Sequence, residues 1–116
     1  MLRYLIYLIP IAAVLYFLWS RRASPATDLK AMLDRKAQIL DVRTKAEFSS
    51  ASHPRAINIP LDQLEARISQ LDPRRPLLVC CASGARSAHA VSLLKKAGFS
   101  EVANLGSWRR IQGLLA

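Results

Sequence analysis

Leu77-Leu78-Val79-Cys80-Cys81-Ala82-Ser83-Gly84-Ala85-Arg86-Ser87 runs from an unbroken apolar stretch through a loop of small residues into a helical pattern. The apolar residues 77–80, set off by Pro76, read as a short strand buried on both faces. From Ser87 to Ala97 the pattern is helical. Lys95 and Lys96 suit the negative end of that helix, and Gly98 can take the left-handed cap. Strand, loop and helix in this order form the repeating unit of a parallel sheet.

The flanking segments continue the alternation. Thr27 or Asp28 can cap a brief helix through Leu29, Met32 and Leu33. Ile39-Leu40-Asp41-Val42 reads as a strand, Thr44–Phe48 as one or two helical turns, and Ala56–Ile59 as a second strand stopped by Pro60. Leu61, Leu64, Ile68 and Leu71 fall at helical spacing, which predicts an amphipathic helix over 61–71. Residues 72–76 (DPRRP) are a turn. Val102–Leu105 is a last strand, followed by a short helix around Trp108 and Ile111. The expected fold class is α/β, a small domain with a parallel sheet flanked by helices on both faces. There is no internal repeat and no low-complexity tract.

The loop after Cys81 is chemically pointed. A cysteine at the end of a parallel strand stands where such folds bind ligands. Ala82, Ser83, Gly84 and Ala85 have small side chains, so their backbone N–H groups can curl around the sulfur. With the start of the next helix they form an anion cradle, and Arg86 adds a positive charge. These effects favour a thiolate and would equally stabilise the terminal sulfur of a persulfide. Cys81 is therefore expected to be a reactive nucleophile. Cys80, as part of the strand, is expected to pack inertly against a helix. A strained vicinal disulfide between the two is disfavoured, and no metal-ligand spacing is present.

The N-terminal segment differs in kind. From Tyr4 to Trp19 there is no charged residue, and all three tyrosines lie within this run. As a helix it would rise about 24 Å, against a hydrocarbon core of about 30 Å. Leu2, interfacial aromatics and snorkelling arginines could cover the difference, and a bilayer helix tolerates Pro10. A cleaved signal peptide would have a shorter apolar region, and a buried core helix would need covering on all sides. The reading preferred here is a transmembrane helix over 1–20, a polar linker over 21–27 and a domain over 28–116. Arg21, Arg22, Lys30, Arg35 and Lys36 follow the run, while only Arg3 precedes it. That asymmetry predicts a single-pass membrane protein with its domain in the cytoplasm. A reducing compartment also suits the two free cysteines.

Seventeen basic against eight acidic residues give a net charge of +9. No nucleic-acid-binding motif accompanies this charge, so no nucleic-acid partner is expected. The excess fits an anionic membrane surface and anionic substrates.

Three stretches together resemble the rhodanese (sulfurtransferase) homology family, in its single-domain form. PLLVCCASGARS, from Pro76 to Ser87, is similar to the family's active-site segment V-Y-C-R-S-G-x-R-S. Ile39-Leu40-Asp41-Val42-Arg43 through Glu47-Phe48 is similar to its (I/L)-D-V-R-x-x-x-E-(F/Y). His53 to Leu61 is similar to its I-P-G-A-x-N-I-P-L. The resemblance covers roughly residues 28–116. It implies that Cys81 attacks a sulfane sulfur donor such as thiosulfate and holds the sulfur as a persulfide. The sulfur then passes to cyanide or a thiol, and a protein thiol is one conceivable acceptor. Ala82, Ser83, Gly84, Ala85, Arg86 and Ser87 would bind the substrate, with Asp41 and Arg43 in support, and no metal or organic cofactor is implied.

The spacing of five from Cys81 to Arg86 is one residue shorter than in the related phosphatase-type loops, which favours sulfur over phosphate. The family's arginine after the cysteine is Ala82 here, Arg55 replaces a glycine, and N-L-x-G-G-x-x-x-W is contracted to Asn104-Leu105-Gly106-Ser107-Trp108. These departures keep a second reading in view, a non-catalytic module of the same fold that binds a partner at the membrane. A small oxyanion reductase or phosphatase is a third. Asp41 is expected to be architectural, and Arg43 to approach the pocket. His53 and His89 are read as structural, Arg74-Arg75 and Arg109-Arg110 as solvated or membrane-facing charges, and Trp108 as a core plug.

Overall fold

A run of apolar residues in a parallel strand must be covered on both faces, and alternate side chains point opposite ways. The computed structural model, which describes residues 2–20 and 26–115, follows this rule. Four strands make one sheet: β1 (Gln38–Asp41), β2 (Ile57–Asn58), β3 (Leu77–Cys81) and β4 (Val102–Ser107). They lie in the order β2-β1-β3-β4, and every pairing is parallel.

Leu77, Val79 and Cys81 of β3 share one face with Leu40 and Val42, packing against α4 (Leu64–Arg67) and α5 (Ala85–Lys96) through Leu64, Ala90 and Leu94. Leu78 and Cys80 point the other way. They join Ile39 and Leu105 against Leu29 and Met32 of α2 (Ala26–Asp34) and Ile111 and Leu114 of α6 (Arg110–Leu115). The α/β architecture with helices on both faces thus matches the expectation from the alternating pattern. Between Val79 and Cys80 the β3–β4 register slips: Val79 faces Asn104, but Cys80 faces Gly106, leaving Leu105 as the extra residue of a bulge. Gly106 stands at φ +86 beside it, a conformation that glycine adopts without a Cβ clash.

Several boundaries differ from the sequence reading. The expected helix over 61–71 is broken into a 3₁₀ turn (Leu61–Gln63), the single turn α4 and a second 3₁₀ turn (Ile68–Gln70). Its apolar residues still face inward, so the pattern survives while the helix does not run straight. The second strand keeps only Ile57 and Asn58 in register with β1. Strand β3 extends through Cys81, and α5 begins at Ala85, so Arg86 and Ser87 sit in its first turn. The short helix α3 (Lys45–Ser50) opens with a capping box. Thr44 Oγ1 accepts from the Glu47 N–H, and Glu47 Oε1 accepts from the Thr44 N–H, each at 3.2 Å.

The N-terminal segment is one helix, α1 (Leu2–Ser20), which passes through Pro10. Its described large apolar side chains are exposed, from Tyr4 at 62% to Trp19 at 65%. Among the described residues no helix is long and apolar enough to cross a membrane. The expected transmembrane helix is therefore not supported: an uncharged run of about 24 Å falls short of a core of about 30 Å, and Arg3 lies at its near end. Of the expected linker over 21–27, residues 21–25, with Arg21 and Arg22, lie outside the described residues, while Ala26 and Thr27 already belong to α2.

Candidate active site

Because Cys80 and Cys81 are consecutive in a strand, the pleat sends their side chains to opposite faces. Both are free thiols, and both are buried. Their surroundings differ. Cys80 lies among Ile39, Leu78 and Ile111. Burial there, and then the Asp41 carboxylate, push its thiol far above the usual cysteine range. The Arg43 charge favours a thiolate there but is outweighed, so Cys80 stays a thiol and is chemically quiet.

Cys81 ends the strand at the point where the chain turns into α5. Gly84 takes φ +109, a conformation an L side chain would resist, and its N–H donates to the Cys81 sulfur at 2.9 Å. Ser87, one turn into the helix, brings its Oγ to 3.4 Å from the same sulfur. Burial raises the thiol's affinity for its proton. Hydrogen bonds from the Ser87 hydroxyl and from the backbone N–H groups of Ser87, Gly84 and Ser83 outweigh that, and the Cys81 pKa lies below its ordinary value. Of the expected loop residues, Gly84 and Ser87 are buried beside the sulfur, Ala82 and Ser83 are exposed at the rim, and Ala85 is half-buried.

Arg86 was expected to set a positive charge near the sulfur, and its guanidinium does interact with Cys81 electrostatically. Its direct partner is Glu47, in a two-pronged ion pair with Nη1 to Oε1 at 2.7 Å and Nη2 to Oε2 at 3.0 Å. This pair ties α5 to α3 beside the loop. The hydrogen bond from Arg86, followed by that from the Thr44 backbone, lowers the Glu47 pKa from 4.5 to about 2.

Asp41 and Arg43 are both buried and face each other. Arg43 Nε lies 3.0 Å from Oδ2 and Nη2 lies 2.8 Å from Oδ2, while the Arg43 N–H donates to Oδ1. Nη2 also donates to the Ala51 carbonyl and Nη1 to the Glu47 carbonyl. Arg43 was expected to approach the pocket. Instead its guanidinium is spent on the carboxylate and on α3, so its role is to fasten the loop after β1. Trp108, expected as a core plug, is half-buried and stacked between two cations, Arg43 at 4.6 Å and Arg109 at 4.9 Å from its ring centre. Its backbone N–H donates to the Cys81 carbonyl, so this stack and the reactive strand end are joined. His53 accepts from the Arg55 N–H and meets Gln112 Oε1 at 3.2 Å, which ties its loop to α6.

The residue that sequence reasoning missed is Asn104. Its Nδ2 donates to the Gly84 carbonyl at 3.1 Å, and its Oδ1 takes the Ser87 hydroxyl at 2.6 Å and the Gly106 N–H at 2.9 Å. One side chain from β4 thus holds both groups that face the sulfur. The only signal in the sequence was an asparagine in an otherwise apolar strand, where a buried amide must find partners.

A parallel α/β domain whose strand-end cysteine sits in a loop of converging N–H groups defines a class of thiolate-dependent proteins. Within that class, residues 25–113 match the rhodanese-like domain model, and the chain belongs to the rhodanese-like family. A sulfurtransferase of Allochromatium vinosum is 34% identical over 67 residues, covering 58% of this chain and 63% of that protein. A thiosulfate sulfurtransferase of Shewanella oneidensis, GlpE, is 34% identical over 71 residues, covering 61% of this chain and 70% of that one. The solved structure of a rhodanese-related protein from Thermoplasma volcanium is 33% identical with a TM-score of 0.63, covering 81% of this chain and 90% of that one. Of two Bacillus subtilis relatives the chain spans only 39% and 56% of the length. Kinship with sulfurtransferases places the chain with sulfur-transfer proteins at the level of the family.

Two outcomes follow from this geometry. Asn104→Ala frees the Gly84 carbonyl and the Ser87 hydroxyl. The variant should raise the Cys81 pKa and slow its alkylation by iodoacetamide at pH 7 about tenfold, the effect of one unit. An unchanged rate would reduce Asn104 to packing. Glu47 has a folded-state pKa below its unfolded value, so its contribution to stability is full above pH ~4.5 and lost as pH falls toward 2. Glu47→Gln keeps the capping box but loses the charge. Its urea midpoint should therefore fall less than the wild type's between pH 5 and pH 2.5.

Proposed function

We propose that the chain is a sulfurtransferase in which Cys81 carries a sulfane sulfur from a donor such as thiosulfate to cyanide or a thiol. The observation that carries this reading is the Gly84 N–H at 2.9 Å from a buried Cys81 sulfur whose pKa lies below the ordinary value. A thiol in such a site gives up its proton more readily than a free cysteine, and the thiolate is the nucleophile.

In the first step the Cys81 thiolate attacks the outer sulfur of thiosulfate. The new S–S bond forms as the old one breaks, and sulfite leaves with the electron pair. The product, Cys81–S–S⁻, carries its charge on the terminal sulfur, which can take the loop N–H groups that held the thiolate. In the second step a cyanide or thiolate nucleophile attacks that terminal sulfur, and the electron pair of the S–S bond returns to Cys81. Gly84 and Ser87 hold negative charge on sulfur in both states, Ala82 and Ser83 leave the rim open, and Asn104 keeps the holders in place. The exposed Ala82 offers the donor no side-chain cation, so the backbone supplies most of the anion binding.

We also propose that the domain is held at a membrane by α1, although the apolar run of that helix is shorter than a full span. Helix α1 exposes apolar side chains all round, and exposed apolar area of this extent is costly in water. Burial of that surface in a bilayer, with the catalytic domain on the cytoplasmic side, satisfies it and suits a reduced thiol.

Thiocyanate formation from thiosulfate and cyanide tests the activity. It should be abolished in Cys81→Ser and retained within about twofold in Cys80→Ser, since the second thiol lies on the opposite face. Thiocyanate formed at the wild-type rate by Cys81→Ser would remove the proposal. For location, the full chain should sediment with membranes after alkaline carbonate washing and resist a protease added outside intact cells. Release by carbonate, or digestion from outside, would contradict the assignment.

A further inference from the structure

A groove of about 570 Å³ opens beside the reactive loop. It lies at the C-terminal ends of β1 and β2, the same end of the sheet as Cys81. Its apolar wall is built from Val42, Pro60, Leu61 and Leu93. Along α5, Arg86, His89 and Leu93 line it at spacings of three and four, which puts them on one helix face. Arg86 belongs to the reactive loop as well, so groove and loop share a border.

The charge of the groove runs against that of the chain. With a net charge of +9, basic groups are in excess, yet the groove is faced by two carboxylates, Asp62 and Glu65. Asp41, Glu47, Asp72 and Glu101 each meet an arginine, whereas neither Asp62 nor Glu65 has an ion-pair partner among the described residues. The one arginine in the wall is already neutralised, because Glu47 takes the Arg86 guanidinium from the side. An apolar wall edged by two unmatched carboxylates complements a ligand that is apolar and cationic, and it disfavours an anion. Thiosulfate is an anion, so the groove is not its seat.

We propose that this groove receives the sulfur acceptor, and that the acceptor is a cysteine on a protein segment carrying apolar and lysine or arginine side chains. The inference rests on the sulfurtransferase reading above and names the acceptor class for the same site. The acceptor thiolate attacks the terminal sulfur of Cys81–S–S⁻. The bond from that sulfur to Cys81 breaks, its electron pair returns to Cys81, and a persulfide forms on the segment. The thiol proton goes to solvent when the attacking thiolate forms. No oxidant or reductant is needed. The apolar side chains lie along Leu61 and Leu93, while the cationic ones meet Asp62 and Glu65.

The test starts from the full chain loaded with thiosulfate and follows loss of the sulfur adduct by intact mass. The acceptors are a short synthetic peptide with one cysteine, one leucine and two lysines, and its counterpart with two glutamates. Each peptide is presented to the wild type and to the Asp62→Asn/Glu65→Gln variant, so intrinsic differences between the peptide thiols cancel. The wild type should discharge to the lysine peptide faster than to the glutamate peptide. The double variant should lower that rate ratio about fivefold, in line with two exposed ion pairs, while loading as fast as the wild type. An equal rate ratio in both proteins, or no preference in the wild type, would overturn the groove as the acceptor site. If no adduct forms on the wild type, the sulfurtransferase reading itself fails, and the acceptor site falls with it.

Discussion

The backbone of Gly84 faces two ways. Its N–H donates to the Cys81 sulfur, and its C=O takes a bond from Asn104 Nδ2, with the Ser87 hydroxyl also within reach at 3.1 Å. The chain must turn sharply at this residue, and only the positive φ of a glycine allows it at low cost. If the turn relaxed, the sulfur would lose its shortest donor and α5 would lose its start. The Ser87 hydroxyl has a single proton, and the Asn104 oxygen at 2.6 Å is its shortest partner. In the thiol form the serine oxygen is therefore open to the Cys81 S–H, and in the thiolate form its proton can swing to sulfur. Glycine, serine and asparagine act as one assembly around one atom.

That assembly exists because the sheet is covered on both sides. Alternate residues of β3 feed two separate cores, so adjacent cysteines have opposite fates: Cys80 is sealed against α2 and α6, and Cys81 faces the helix that its own loop begins. The bulge in β4 matters as much. It leaves Leu105 in the far core while Asn104 meets Gly84 and Ser87. The ion pairs lie one layer out. Asp41 with Arg43 fastens the loop after β1, and Arg86 with Glu47 clasps α3 to α5, so the cations nearest the site serve to hold the frame.

Much of this was legible in the sequence. The apolar run 77–80, the small-residue loop and the helical pattern after it gave the strand, the turn and the helix. The three motif stretches gave the family. What escaped was whatever depends on contacts between distant segments. The break in residues 61–71 is invisible to periodicity, because 3₁₀ and α turns place Leu61, Leu64 and Ile68 inward alike. The capture of Arg86 by Glu47 and the grip of Asn104 on Gly84 join residues 39 and 20 positions apart. The sequence reading of α1 as a spanning helix rested on composition, and helical length was the limiting quantity.

The central claim is that the folded loop makes Cys81, and Cys81 alone, a sulfur carrier. Intact mass after incubation with thiosulfate, followed by peptide mapping under non-reducing conditions, addresses it most directly. The account predicts a gain of about 32 Da, one sulfur atom, located on Cys81, with Cys80 unmodified. A folded protein that gains no sulfur, or that carries it on Cys80, would contradict it.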